Sequence, residues 1–221
     1  MTKEVEMDEF KTEEINEIDE IETNEDPVEE VADDKETKNT VLREVFSWVK
    51  IIVIALVIAL IINNFIIINA NVPSGSMENT IMTGDRMIGL RTAYWFSSPK
   101  RGQVVIFKFP DNEDETFVKR VIGLPGETVS IKRGKVYINH SKKPLKEDYL
   151  KEKWTEGNDF VQDFKVPKDS YFCMGDNRNV SNDGRFWKKK FVKRNKILAK
   201  AEFAYWPWRN KKIIYTADYD N

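Results

Sequence analysis

Ser76 and Lys119 are the residues whose types and settings are best suited to chemistry. Ser76 lies in the run PSGSM at residues 73–77, directly beyond a long apolar segment. A serine nucleophile needs a neighbouring base to take its proton. The single histidine, His140, lies in a polar turn after a predicted hairpin strand, which is a poor place for a triad partner. The remaining candidate for the base is a lysine.

Lys119 is the one lysine inside a strongly apolar predicted strand, in the run FVKRVI at residues 117–122. A lysine acts as a base only when it is neutral, and burial favours the neutral form. Side chains alternate along a strand, so Lys119 and Arg120 point to opposite faces and one of them faces inward or lies at a site. An edge-strand lysine with a solvated ammonium is the alternative, and spacing alone favours it.

The counts of cysteine and histidine exclude other kinds of site. One of each, Cys173 and His140, cannot form a metal cluster, and one cysteine cannot form an intramolecular disulfide. We therefore expect no metal and no cofactor. Cys173, between Phe172 and Met174, is predicted to be a small core residue.

The apolar run at residues 51–70 is predicted to be a membrane anchor, within bounds of 45–70. Its length at about 1.5 Å per residue matches the roughly 30 Å hydrocarbon thickness of a bilayer. The 50 residues before it are too many and too acidic for a cleaved signal peptide. Arg43 and Lys50 precede the run, whereas the first 14 residues after it contain no Lys or Arg. The positive-inside rule therefore predicts a single pass with a cytoplasmic N-terminus and an extracytoplasmic domain.

Charge is segregated between the two ends of the chain. Residues 1–40 carry 17 acidic and 4 basic side chains, whereas residues 71–221 carry 19 acidic and 29 basic ones. The acidic segment has too little apolar surface to offset the entropy of ordering it, which predicts a disordered cytoplasmic tail. A partner-docking helix is the alternative, because Ile15, Ile18 and Ile21 recur at helical spacing.

The segment after the anchor is predicted to be a mainly antiparallel β domain at residues 71–221. Short β-branched runs between turn residues lie at 103–109, 116–124, 128–132, 135–139, 170–174, 197–205 and 212–216. No long amphipathic helix and no βαβ spacing accompany them. The charged region 140–165 is expected to be an exposed excursion.

Two aromatic clusters, at residues 94–96 and 205–208, admit two interpretations. Core packing is the preferred one. A rim that contacts membrane lipid is the alternative, since Trp and Tyr favour the interface, and the basic residues at 188–190 and 193–194 would favour anionic lipid in the same way. A domain held outside the membrane is not expected to bind nucleic acid.

Five segments in order resemble the boxes of bacterial type I signal peptidases of the Gram-positive-like kind. They are PSGSM at 73–77, GD at 84–85, RGQVV at 101–105, KRVIGLPGE at 119–127, and GDNR at 175–178 followed by Ser181, Asp183 and Arg185. The resemblance covers about residues 45–215 and implies an antiparallel β catalytic fold. It implies a membrane-bound serine endopeptidase that removes signal peptides from exported pre-proteins.

The resemblance also implies a role for each matching residue. Ser76 matches the nucleophile and Lys119 the general base. Ser74 matches the serine whose hydroxyl joins the Ser76 N–H in the oxyanion hole, and Ser181 the serine that orients the lysine. Asp183 and Arg185 match a structural ion pair beside the site. Candidate walls of the small-x-small substrate pockets are Val72, Met77, Ile81, Phe117 and Val118.

The sequence departs from the family's residue pattern at two positions, and one alternative function remains open. Asn79 stands where the family often has proline, and Gly184 stands where it commonly has serine, which leaves the local turn geometry open. The rival is a non-catalytic, signal-peptidase-like factor that binds export substrates. The presence of Ser74, Ser76, Lys119 and Ser181 together argues against it, because an inactive relative is expected to have lost at least one of them.

Overall fold

A computed structural model of the protein describes residues 30–155 and 160–219, with side chains from residue 40 onwards. The disorder predicted for the acidic tail falls largely on residues outside this range. Helix α1 (Glu30–Ile61) begins inside the segment predicted as tail and continues into a π-helical turn, Ile62–Ile66. Residues 40–66 are long and apolar enough to cross a membrane.

The apolar run does not stay helical to Ala70 as predicted. Its last residues form strand β1 (Ile67–Asn71), which pairs with β2 (Arg86–Leu90). Ile68 and Ala70 pack against a core cluster of the domain, and Asn69 donates a 2.9 Å hydrogen bond to the Tyr205 hydroxyl. Tertiary pairing therefore overrides the hydrophobic run, in which strand and helix look alike.

The domain is built from antiparallel strands, as predicted. After β1 and β2 they are β3 (Val104–Phe109), β4 (Asn112–Gly123), β5 (Thr128–Lys132), β6 (Lys135–Ile138), β7 (Val161–Lys165), β8 (Ser170–Met174), β9 (Val192–Lys193), β10 (Ile197–Trp206) and β11 (Lys212–Ile213). The large sheet has the order β1-β2-β10-β3-β4-β8-β9, with β11 on β10. A smaller sheet has the order β6-β5-β7. The strands β1, β2, β7 and β9 were not predicted, and β7 lies within the expected excursion.

Alternation along β3 explains how the large sheet is covered. Val104 and Ile106 join one buried cluster, which also holds Met77. Val105 and Phe107 join another on the opposite face, together with Cys173, Trp187 and Ile197 of β10. Both faces are therefore dry, and the prediction that Cys173 is a core residue is confirmed.

The aromatic clusters are mostly not core. Tyr94 is buried, but Phe96 is 98% exposed, and Trp95, Trp206 and Trp208 are also exposed. These four lie in turns or at a strand end, after the 3₁₀ turn Thr92–Tyr94 and around the end of β10, where no described element covers them. The preferred core interpretation is therefore wrong for them.

Candidate active site

Ser76 lies on a short 3₁₀ turn, Gly75–Met77, that follows β1. We call this turn the serine turn. Backbone bonds fix both of its flanks: Val72 N–H donates to the Asp85 carbonyl at 3.0 Å, and Ile81 N–H donates to the Met77 carbonyl at 2.7 Å. Met77 is fully buried beneath the turn, and Ser76 is only 6% exposed. Its hydroxyl is therefore held in place by a packed backbone.

The segment after β8 holds the serine turn from the other side. Asn177 donates its N–H to the Ser76 carbonyl at 3.1 Å and its Nδ2 to the Gly75 carbonyl at 3.0 Å. A Cβ on Gly175 would lie 2.4 Å from the Ser76 carbonyl oxygen and 2.2 Å from Ser181 Oγ. Such approaches are not tolerated, so this close packing requires glycine at position 175.

Lys119 extends from β4 to the serine. Its Nζ lies 2.6 Å from Ser76 Oγ and 3.1 Å from the Val118 carbonyl oxygen. The residue is 4% exposed, so the alternative of a solvated edge lysine does not hold. Arg120 points to the opposite face, as alternation predicts, and pairs there with Asp176 at 2.6 Å.

Burial is the main influence on the Lys119 amine. It lowers the pKa of Lys119 to about 8, although the charges of Asp183 and Asp176 act in the opposite direction. The nearby Cys173 thiol is buried too, and burial raises its pKa far above the ordinary value. Cys173 is therefore neutral, and Lys119 loses its proton more readily than an ordinary lysine.

The other two predicted serines differ in their contacts. Ser74 Oγ lies 3.2 Å from Ser76 Oγ, so the structure brings Ser74, Ser76 and Lys119 together. Ser181 is buried beside Gly175, and its hydroxyl has no hydrogen-bond partner among the described residues. The bond to Lys119 that the resemblance implies is not formed, and the orienting role of Ser181 stays a prediction.

Asp183 and Arg185 form a buried pair behind the site. The Arg185 Nε and Nη2 each lie 2.8 Å from a carboxylate oxygen of Asp183. Burial would raise the pKa of Asp183, but the bond and charge of Arg185 outweigh it and lower the pKa. Asp183 also accepts the Gly175 N–H at 2.9 Å. The pair therefore holds the glycine that contacts the serine turn.

A cleft of about 320 Å³ opens beside Ser76 and Lys119. One wall is formed by residues 71–77 and the other by residues 115–119 of β4. Four of the five predicted pocket residues line it: Val72, Met77, Phe117 and Val118. The structure does not place Ile81 in the cleft, because Ile81 is fully buried in the core cluster that also contains Met77.

The β4 wall has a free backbone edge. β3 pairs with β4 from Asn112 to Arg120, whereas β8 pairs with it from Arg120 to Gly123. Residues 115–119 therefore lack a second strand partner within the described chain. Thr116 also lines the cleft, and so does Glu115, which was missed because the predicted strand began only at residue 116.

The comparisons with known proteins agree on one family. The family model described as "Signal peptidase, peptidase S26" matches residues 45–206. The chain belongs to the signal peptidase family, peptidase S26. The signal peptidase I of Bacillus amyloliquefaciens is 39% identical over 171 residues, covering 74% of this chain and 89% of that protein. The probable signal peptidase I-2 of a Synechocystis species is 38% identical over 163 residues, covering 72% of each chain.

A signal peptidase I crystal structure from Enterococcus faecalis V583 is also similar to this chain. It is 34% identical, covers 47% of this chain and 97% of that one, and superposes with a TM-score of 0.39.

Two departures of this signal peptidase from the family pattern have local explanations. Asn79 has a φ of 85°, which asparagine tolerates and proline cannot adopt. Its Nδ2 donates to the Tyr149 carbonyl at 3.0 Å. A Cβ on Gly184 would lie 2.8 Å from the Phe172 ring and 3.0 Å from the Cys173 carbonyl oxygen. Neither departure alters the contacts of Ser76 or Lys119.

A polar network that the sequence reasoning missed ties the site of this signal peptidase to its fold. Asp176 accepts a short hydrogen bond from the Thr80 hydroxyl and bonds from Arg120. Arg120 also donates to the Gly102 carbonyl at 2.6 Å. The sequence did contain a signal for this network. Side chains alternate along β4, so Arg120 faces away from Lys119, and a buried arginine needs an acidic partner.

Within residues 30–155 and 160–219, no group of three or more His, Cys, Asp or Glu side chains is arranged to hold a metal ion. The side chains gathered at the site are a hydroxyl, a second hydroxyl and an amine of lowered pKa. Such a set suits acyl transfer through a serine with an amine base.

Proposed function

We propose that this signal peptidase is a membrane-anchored serine endopeptidase that removes signal peptides from exported pre-proteins with a Ser76/Lys119 dyad. The observation that carries the proposal is the 2.6 Å contact between the Ser76 hydroxyl and the buried Lys119 amine. Family membership supports the substrate class, and the lowered pKa of Lys119 supports its role as base.

The acylation step begins with neutral Lys119. Its amine takes the proton from Ser76 as Oγ bonds to the scissile carbonyl carbon, and the carbonyl electron pair moves onto oxygen. The Ser76 N–H and the Ser74 hydroxyl donate to that oxyanion, and such a donor commonly contributes about 3 kcal/mol. The lysine ammonium then protonates the departing nitrogen, so the C–N bond breaks and an acyl-enzyme remains.

Deacylation repeats the same transfers with water. Neutral Lys119 takes a proton from the attacking water, the tetrahedral intermediate collapses, and the ammonium returns a proton to Ser76 Oγ. Ser181 is proposed to limit the rotamers of Lys119. Asp183 and Arg185 are proposed to act through Gly175, to which Asp183 is hydrogen-bonded.

Substrate binding is proposed to use the cleft and the free edge of β4. An extended peptide can pair with residues 115–119 by strand addition, which places its scissile carbonyl beside Ser76. Val72, Met77, Phe117 and Val118 would form shallow apolar walls that accept small side chains. This arrangement favours small-x-small cleavage sites.

The helix supports a membrane location. Residues 40–66 would form a single span, with the N-terminus in the cytoplasm and the catalytic domain on the outer side. The serine turn begins nine residues after the span ends, so the site would lie near the lipid surface where a signal peptide presents its cleavage site. The anchored domain would then always lie next to membrane lipid.

The test is cleavage of a purified pre-protein by the full chain in detergent. Ser76→Ala should reduce cleavage to background, and Lys119→Ala should reduce it roughly 10²–10⁴-fold because the base is lost. Lys132→Ala, at an exposed lysine of β5, is the matched control and should cleave normally. Cleavage by Lys119→Ala at the control rate would overturn the dyad, and an inactive wild type would favour the non-catalytic rival.

A further inference from the structure

A second pocket, separate from the catalytic cleft, is lined mainly by lysines. Its volume is about 280 Å³, and we call it the lysine pocket. Five lysines line it: Lys108, Lys189, Lys190, Lys193 and Lys196. Glu113 is the one acidic residue in its wall. Like charges that converge from β3, β9 and two connecting segments repel one another, so the pocket favours an anion.

Three of these lysines have no direct ion-pair partner, although the charge of Glu113 acts on Lys189 and Lys193 and that of Asp111 acts on Lys189. Lys196 pairs with Glu113, and the Lys190 Nζ donates to the Arg185 carbonyl at 2.7 Å. The side chains of Lys108, Lys189 and Lys193 make no hydrogen bond or ion pair with any described residue. Their charges are available to a ligand.

The wall of the pocket is held in shape by Asp111 in the β3–β4 turn. Its two carboxylate oxygens accept the N–H groups of Lys188 and Lys189, each at 2.8 Å. These two hydrogen bonds hold the 188–190 segment against the turn, and they occupy both carboxylate oxygens of Asp111. The lysines are thus presented by a tethered segment, which lowers the ordering cost of binding.

Apart from Ser170, the remaining lining is apolar. Pro110, Pro167 and Phe191 contribute to it, beside the ammonium groups. This combination suits a ligand with a compact anionic group that has several hydrogen-bond acceptor atoms and is attached to a hydrocarbon part. A phosphate ester has both features, whereas a carboxylate has fewer acceptor oxygens for several lysines.

Strand register places part of the pocket at the end of the sheet where the chain arrives from the helix. Ile67, Leu90, Lys200 and Val105 lie in one row across β1, β2, β10 and β3. Lys108 and Lys196 lie beyond this row on the side from which the chain enters β1. The exposed Trp95 and Phe96 follow β2 on the same side. A lipid surface near the end of the span is therefore within reach.

We propose that the lysine pocket binds the phosphate group of a net anionic phosphate ester, supplied either by a membrane lipid headgroup or by a soluble ester. The lipid source rests on the proposed membrane attachment, whereas the soluble source does not. Each lysine near an anionic lipid surface contributes about fivefold in affinity.

The experiment measures the rate at which an acetylating reagent labels Lys189 in the full chain, in nonionic detergent, by peptide mass spectrometry. Phosphatidylglycerol, phosphatidylcholine, glycerol 3-phosphate and inorganic phosphate are titrated in separate arms. Protection of Lys189 by phosphatidylglycerol alone supports the lipid source, and protection by the soluble phosphates as well supports a general phosphate site. Equal protection by phosphatidylcholine, or no protection in any arm, overturns the proposal.

Matched variants test whether the lysines themselves bind. The double variant Lys108→Gln/Lys193→Gln should raise the half-protecting concentration about 25-fold, and Lys108→Arg/Lys193→Arg should restore it. The control Lys132→Gln/Lys135→Gln removes the same charge from an exposed hairpin and should leave protection nearly unchanged. An equal effect of both Gln pairs would reduce the site to general charge and overturn the proposal.

The catalytic variant separates this inference from the proposed function. Ser76→Ala should lose cleavage and keep the protection of Lys189, because the two pockets share no lining residue. Conversely, Lys108→Gln/Lys193→Gln should cleave a soluble peptide in lipid-free detergent at the wild-type rate. A failure of one proposal therefore leaves the other measurable.

Discussion

At the scale of single residues, Lys119 combines a cost to folding with the role of base that we propose for it. Its amine is buried next to the Ser76 hydroxyl, and burial lowers its pKa to about 8. The charges of Asp183 and Asp176 limit this shift. The balance leaves an amine that loses its proton more readily than an ordinary lysine, as the proposed role of base requires.

The first prediction at this scale concerns the pH dependence of cleavage. The proposed mechanism requires the base form of Lys119, so kcat/KM should rise with pH through about 8 and level off above it. The measurement is peptide cleavage by the full chain in detergent from pH 6 to 10. An optimum on the acid side, with activity falling above neutral pH, would contradict a lysine base.

The second prediction concerns stability, through Lys119→Met. An unfolded lysine has a pKa near 10.5, whereas the folded pKa is about 8, so between these values the unfolded chain binds more protons and stability rises with pH. Below pH 8 the burial of the charged Lys119 amine lowers the free energy of unfolding by its full amount, roughly 3 kcal/mol. The variant should therefore unfold roughly 6–12 °C higher than wild type at pH 7.

The same experiment repeated at pH 10.5 to 11 is the control. The advantage of Lys119→Met should shrink there, since the wild-type lysine is then neutral in the folded state and at most half protonated in the unfolded state. A gap in Tm that does not change with pH would show that packing, and not the charge of the amine, distinguishes the two chains.

At the scale of elements, the site depends on the close approach of two backbone segments. The serine turn and the segment after β8 meet at Gly175, with Asn177 bonding to both Gly75 and Ser76. The carboxylate of Asp183 holds the Gly175 N–H. The position of Ser76 is therefore set by an element nearly 100 residues away in sequence.

The third prediction is that Gly175→Ala separates activity from stability. The added Cβ would meet the Ser76 carbonyl oxygen at 2.4 Å, so the serine turn has to shift. Cleavage should fall at least about 100-fold, since a displacement of about 1 Å is enough for such a loss. Gly89→Ala is the control, because its Cβ would crowd the Ile106 and Ile68 side chains instead. Both variants should lower Tm, but Gly89→Ala should keep its activity per folded molecule.

Sequence reasoning succeeds where the signal is local. The strands β3, β4, β5 and β10 follow from β-branched runs between turn residues, and Lys119 from its place in one of them. It fails where tertiary contacts decide. β1 lies in an apolar run that suits a helix equally well, and β9 is two residues long.

The same limit applies to the site. Ile81 is apolar and close in sequence to Ser76, but it packs downward into the core and not into the cleft. The roles of Gly175 and Asn177 depend on which backbone atoms lie within reach, and no spacing in the sequence reveals that. Trp208 is exposed, and its residue type alone does not distinguish it from an aromatic residue of the core.

At the scale of the whole molecule, the end of the helix and the start of the domain are continuous. Strand β1 begins directly after the π-helical turn Ile62–Ile66, so the anchor delivers an edge strand to the large sheet. Five residues of β1 pair with β2, and the serine turn follows four residues later. The residues between the candidate span and Ser76 are therefore part of the folded domain.

The fourth prediction compares two truncations at this junction. A chain beginning at Ile67 keeps β1, whereas one beginning at Val72 loses the edge strand and the packing of Ile68 on the core beneath Met77. Burial of such an apolar side chain contributes about 1.5–3 kcal/mol. The shorter chain should therefore melt roughly 3–12 °C lower and lose peptide cleavage first on warming. Circular dichroism and cleavage of a soluble peptide check both, with the full chain in the same detergent as reference. Equal Tm values for the two truncations would mean that β1 serves only to connect the anchor to the domain.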